Sequence, residues 1–222
     1  MSFFRDLLWG VIEHIPFAFW HGLTWLGDSG LLLPAALSIT FWLALSRRTW
    51  PVALQWIVLF GSASLVILVS KLAFMGWGVG IATLNFTGIS GHTAISASVW
   101  PVVLWLMACR RSLRVQRAAM WAGWLLAAAI GVSRLALFAH SFSEVAAGYV
   151  LGVAVSATFL GLQRTNPRPH VRGMLVGVTL LLPLALLPPG RPAPTHDALE
   201  VIAMRLAGVD RVYTRGDLLL RL

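Results

Sequence analysis

The sequence predicts an all-α polytopic membrane bundle, and three observations lead there. Hydrophobic residues make up 58% of the 222 and charged residues only 11%, where a soluble domain is about 25% charged. A chain so poor in charge cannot clothe a water-facing surface. Six stretches approach the length and apolarity of a spanning helix, about 20 residues. The arginines between those stretches gather in alternate loops, as flanking charge does in membrane proteins.

The six stretches are 30–46, 52–75, 92–109, 118–139, 143–163 and 173–188. Arg47 and Arg48 follow the first. Arg110, Arg111, Arg114 and Arg117 follow the third, and Arg164, Arg168 and Arg172 follow the fifth. Six spans place these three loops on one side, and the excess of positive charge makes that side cytoplasmic. Loops 76–91 and 139–142 then face outward together, with both chain ends. The expected setting is a bacterial-type inner membrane with the outward loops facing the periplasm or exterior.

The net charge is +9. Because the basic residues flank apolar stretches, anionic lipid is the expected partner and nucleic acid is not. The one cysteine, Cys109, sits in an apolar segment and reads as a small buried hydrophobe. It cannot form an intrachain disulfide, and no Cys/His set has zinc spacing.

Residues 3–27 are rich in Trp and Phe but carry Arg5, Asp6, Glu13, His14 and His21. A charged group at the bilayer centre costs roughly 2.5–3.5 kcal/mol on insertion scales. The expectation is therefore an interfacial amphipathic segment over 1–28, with a seventh span as the alternative. No cleavable signal peptide is evident. The bundle proper is expected over 29–188. The tail, 189–222, opens on prolines that stop the last helix and continues as a basic extracytoplasmic segment, read as a small amphipathic helix followed by a strand or turn.

Ionisable groups inside spans are candidate functional groups. Three clusters fall at the outer face. Lys71 ends the second span, Ser90, Gly91 and His92 open the third, and Ser133, Arg134, His140 and Glu144 straddle the fourth and fifth. Lys71 and Arg134 bring positive charge, Ser90 a hydroxyl, and Gly91 and the first turn of the third helix bring free amides backed by the helix dipole. This donor set suits phosphate oxygens. Two histidines beside it are suited to nucleophilic attack and to protonation of a leaving oxygen. Ser133 and His140 are seven apart, so they are expected to share a helix face about two turns from each other. Glu144, four residues beyond His140, would hold its imidazole tautomer.

Each group also has a plain structural reading. Ser141 and Glu144 form a capping-box pattern that can coexist with catalysis. Lys71 can snorkel to the interface. His14, His21, His170 and His196 read as interfacial or loop residues, and tryptophans at span ends as interface anchors. The Gly76–Gly80 stretch lacks the strand that precedes a nucleotide-binding loop.

The pattern resembles the type 2 phosphatidic acid phosphatase superfamily. Its three motifs are Lys, six residues, Arg-Pro; Pro-Ser-Gly-His; and Ser-Arg, five residues, His, three residues, Asp. This chain has Lys71 followed after six residues by Gly78-Val79, then Ile89-Ser90-Gly91-His92, then Ser133-Arg134, five residues, His140, three residues and Glu144. The Arg-Pro is absent, Ile replaces Pro, and Glu replaces Asp. A tail arginine such as Arg191 is on the correct side to stand in for the missing one. The resemblance implies His140 as nucleophile through a phosphohistidine, Glu144 as its orienting acid and His92 as general acid. It implies Lys71, Ser90, Gly91 and Arg134 as the phosphate cradle, with Ser133 as a further polar ligand. It implies a six-helix core, no metal or other cofactor, and a lipid phosphate or diphosphate as substrate. Two alternatives stay open: a phosphotransferase using the same residues, and a non-catalytic lipid-binding or transport protein.

Overall fold

The computed structural model of the chain describes residues 10, 12, 14–163, 177 and 195–220. The longer helices in order are α1 (Phe17–Trp25), α2 (Ser29–Ala44), α3 (Trp50–Trp77), α4 (Gly91–Ala108), α5 (Leu113–Ala136), α6 (Phe142–Leu162), α7 (Thr195–Ala207) and the short α8 (Arg215–Leu219). No strand occurs among the described residues; one isolated bridge joins Ile81 and Phe86. The fold is an all-α polytopic bundle. Its long apolar candidate spans are Phe17–Ala44, α3, α4, α5 and α6. The expected sixth span, 173–188, lies outside the described residues apart from Gly177.

The first candidate span is two helices with a break between them. Asp28 accepts from the Gly30 amide at 2.7 Å and caps α2. The expected interfacial segment therefore contributes α1, which buries Trp20 and Thr24 and packs against α5. In the tail the expected amphipathic helix is present as α7, the turn expected after it follows at Gly208, with a φ of 66°, and the short helix α8 comes beyond it. A capping box closes α8: Thr214 and Asp217 each bond the other's backbone amide.

Helix α4 is the axis of the bundle. Nearly all of it is buried, from Thr93 to Ala108, between α5 and α6. Lipid gives no hydrophobic drive for helix association, so close backbone approach and interhelical hydrogen bonds must hold such a bundle. Both are present. A Cβ on Gly148 of α6 would sit 2.7 Å from the Ser90 carbonyl oxygen, and one on Gly152 would collide with the Ala94 carbonyl. The Ser156 hydroxyl donates to the Ala97 carbonyl at 2.8 Å and receives the Trp124 indole N–H at 2.9 Å, tying α6 to α4 and α5. Outward, Leu37, Leu54, Val58, Leu65, Val69, Leu125 and Val150 are exposed. Such a surface fits hydrocarbon and not water.

A side chain at Gly148 would push α6 away from the first turn of α4. Gly148→Val is expected to lower stability by about 1–3 kcal/mol, as overpacking does, read as a fall in melting temperature in detergent. An unchanged melting temperature would contradict the close approach.

The connectivity sorts the charge. Helices α2, α4 and α6 run toward the arginine-rich loops, and α3 and α5 run back. Lys71, Ser90–His92, Arg134 and Glu144 consequently share the opposite end of the bundle.

Candidate active site

The turn between α5 and α6 sets the central pair. Helix α5 ends at Ala136, so His140 is not on the continued helix that the spacing suggested. Phe138 adopts a left-handed φ of 53°, and the Arg134 carbonyl accepts from the amides of Ala139 and His140 at 3.0 and 3.3 Å. The chain therefore doubles back over the end of α5, which places His140 beside Arg134 and ahead of the α6 N-cap, Ser141. The capping box is formed in full: Ser141 bonds the Glu144 amide and Glu144 bonds the Ser141 amide.

The same carboxylate serves His140. Glu144 Oε2 lies 2.7 Å from His140 Nδ1 and 3.1 Å from the Ser141 amide. Its Oε1 accepts from the amide and hydroxyl of Thr87 at 2.7 and 2.6 Å. An ionised carboxylate only accepts, so Nδ1 carries the proton and Nε2 keeps its lone pair. Burial pushes the His140 pKa below its ordinary value, against the opposing pull of Glu144.

His140 opens onto a cavity of about 650 Å³, lined also by Lys71, Gly91, His92, Arg134, Asp28 and Thr87. The position of a Cβ on Gly91 would be 3.9 Å from Lys71 Nζ, so the ammonium sits against the first turn of α4. His92 Nε2 lies 3.7 Å from Asp28 Oδ2. Arg134 Nη1 donates to Thr24 Oγ1 at 2.9 Å. Two cations, two imidazoles and a helix N-terminus thus face one space, an arrangement that attracts a phosphate group.

Two predicted ligands lie behind the wall. Ser90 and Ser133 are fully buried and are absent from the cavity lining. The Ser90 hydroxyl pairs with Thr93 at 3.0 Å, and the Ser133 hydroxyl donates to the Ile130 carbonyl at 2.6 Å. Their place is in holding the helix ends rather than in lining the pocket.

Other groups at the site went unread in the sequence. Asp28 and Thr24 come from the segment read as interfacial. Asp28 could have been noticed as an acid ahead of an apolar run, but a helix cap explains it equally well. Thr87 gave no signal. His196, read as an interfacial or loop residue, stands on α7 and lines the cavity together with Thr195, Tyr213 and Thr214 of the tail. Arg191 lies outside the described residues. The tail arginine that arrives is Arg215, whose Nη2 lies 3.0 and 2.9 Å from the two Glu144 oxygens.

Fold and site together define a multi-pass helical membrane protein with a cationic, histidine-lined pocket at one end of its bundle. The PAP2 superfamily matches residues 81–168, which hold the second and third motifs. The chain is 45% identical over 202 residues to an uncharacterized 22.5 kDa protein in the cps region of Klebsiella pneumoniae, covering 90% of this chain and 97% of that protein. No solved structure gives a significant match. The chain belongs to the PAP2 superfamily, and membership supports a phosphatase that hydrolyses phosphate esters.

Proposed function

We propose that the protein is a lipid phosphatase, releasing phosphate from a lipid phosphate or diphosphate through a phosphohistidine on His140. The observation that carries the lipid is the lining of the cavity. Its polar end holds Lys71, His92, Arg134 and His140, and it continues past Ile67, Leu68, Ser64, Leu33 and Ile95. Ser64 is seven residues before Lys71 on α3, so the apolar arm descends about 10 Å toward the bilayer centre at 1.5 Å per residue. A head group at the polar end would leave its tail in hydrocarbon.

In this reading His140 Nε2 attacks phosphorus and forms an N–P bond as the P–O bond to the leaving group breaks. His92 gives that oxygen its proton. Lys71, Arg134 and the first amides of α4 hold the phosphoryl oxygens and the charge that builds on them. Water, deprotonated by His92, then breaks the N–P bond and releases phosphate. The domain division that goes with this reading is a phosphatase bundle over 29–188, with 1–28 at the interface and 189–222 on the exterior. The arginine loops support a site on the outer face of an inner membrane.

The test is phosphate release by the purified protein from vesicles carrying lipid monophosphates and diphosphates, compared with water-soluble phosphate esters. Preference for the lipids supports the reading. Equal rates on short soluble esters would defeat the lipid assignment, and transfer to an added alcohol in place of release would make the enzyme a phosphotransferase.

The pH profile follows from His140. Attack needs the neutral imidazole, and burial depresses its pKa. Protonation therefore sets in only below the ordinary value near 6.5. The acid limb of kcat/KM is expected below pH 6.5, and an acid limb above it would contradict the buried imidazole.

A further inference from the structure

The family segment ends at residue 168, yet the chain returns to the site after it. Helix α7 lies along the end of α3: a Cβ on Gly76 would be 3.1 Å from Ala207 Cβ. Phe74, Met75, Ala203 and Leu218 form a buried apolar cluster, and the Tyr213 amide donates to the Met75 carbonyl at 2.9 Å. The tail is thereby docked on the bundle. Beyond it, Arg211 and Asp217 pair at 3.0 Å, and Asp217 accepts from the Thr214 amide and hydroxyl. The pairing with Arg211 holds the Asp217 carboxyl well below the usual carboxylate range. These contacts fix the start of α8 and with it Arg215.

From there the Arg215 guanidinium spans two elements. Its Nη1 donates to the carbonyl and side-chain oxygens of Asn85, at 2.9 and 2.7 Å. Its Nη2 reaches both oxygens of Glu144. Glu144 has a fully buried side chain and holds a neutral His140. A buried carboxylate is unfavourable without a compensating cation.

We propose that Arg215 is a positioning residue of the active site: carried in from outside the family segment, it holds the Glu144 carboxylate and, through it, the His140 imidazole. The carboxylate in this chain is one methylene longer than the family's aspartate. The added reach lets it meet Thr87, Arg215, Ser141 and His140 together. The longer acid and the tail arginine are matched parts of one device. Arg215 also lines the cavity, with both of its terminal nitrogens directed at protein groups.

The proposal rests on the phosphatase reading, and the test keeps the two apart. Arg215→Gln in the full chain is expected to lower kcat about ten- to a hundredfold, the range for a lost hydrogen bond to a charged group, with KM little changed. Arg215→Lys, which restores the charge without the fork, should recover part of the loss. In a Glu144→Gln background Arg215→Gln should cost almost nothing more, because the two act as one unit. A rise in KM at unchanged kcat, or the same loss in both backgrounds, overturns the proposal. Should Arg215→Gln not fold, Asn85→Gly, which removes one of the two acceptors of Nη1 and suits the left-handed φ of 49° there, should show a smaller fall in kcat at unchanged KM; no fall overturns it.

If the parent releases no phosphate, the phosphatase reading falls and the contact can still be tested. Diethylpyrocarbonate modifies neutral imidazoles, and peptide masses report His140 alone. The groups facing His140 are Lys71 of α3, His92 of α4, Arg134 of α5 and Glu144 of α6. Removing the Arg215 cation leaves the carboxylate less compensated and raises the pKa of His140. Its modification should then begin at higher pH in Arg215→Gln than in the parent. The same onset in both chains overturns the proposal.

Discussion

Replacing His140 by alanine is expected to lower phosphate release by about 10³-fold or more, the scale on which removal of a nucleophile acts. The remaining cavity would still bind the lipid, because Lys71, Arg134 and the α4 amides are untouched. His92→Ala should behave differently. Its loss is expected to cost about 10²–10⁴-fold on a lipid, whose alkoxide or phosphate leaving group needs a proton. On an aryl phosphate with an acidic phenol the same variant should lose far less, since that leaving group departs unprotonated. The pair is measured by steady-state rates on both substrates, with rapid acid-free quenching to look for label on His140. Two observations would remove the phosphohistidine mechanism: His140→Ala retaining a tenth of parent activity, or His92→Ala losing the same factor on both substrates.

Glu144→Asp is expected to cost about 10²-fold in kcat, although aspartate is the family's residue at this position. A displacement near 1 Å of a catalytic group is enough for a loss of that size. The shorter side chain withdraws the carboxylate by one methylene. It cannot then keep His140 at 2.7 Å, the Thr87 amide at 2.7 Å and Arg215 at 2.9 Å together. Glu144→Gln should lose more, because an amide has one acceptor oxygen where the carboxylate has two, and it offers N–H donors to Thr87 and Arg215. Melting temperatures separate these effects from loss of the helix cap, which costs about 1 kcal/mol. Parent-like activity in Glu144→Asp would mean that the length of this acid is immaterial.

Much of the fold could be read directly. Within the described residues, apolar length and the alternation of arginine loops predicted spans whose bounds agree with the helices to a few residues, as 52–75 does with Trp50–Trp77; the sixth, 173–188, lies outside them. The exception is instructive. The fourth stretch, read as 118–139, is the helix Leu113–Ala136, because a basic first turn looks like loop and an apolar turn looks like helix. In the site, the Arg134 and His140 spacing pointed to residues that share one cavity, though through a different local geometry. The motif works because the turn at Phe138 folds His140 back over Arg134, and hydropathy carries no record of a left-handed residue. Ser90 and Ser133 share the motifs, yet their hydroxyls turn into the wall.

The sequence alone determined the polytopic helical class, the end of the bundle that holds the polar clusters, and the identity of His92, His140, Glu144, Lys71 and Arg134 as neighbours. These follow from local composition and short spacings. The tertiary structure decided what surrounds them: Thr24 on Arg134, 110 residues away; Thr87 on Glu144, 57 away; Arg215 on Glu144, 71 away. Such partners lie on separate elements of the chain, and tertiary packing alone brings them together. It depends on contacts such as Gly148 on Ser90 and Gly76 on Ala207, whose closeness is a property of two backbones and appears in neither segment by itself.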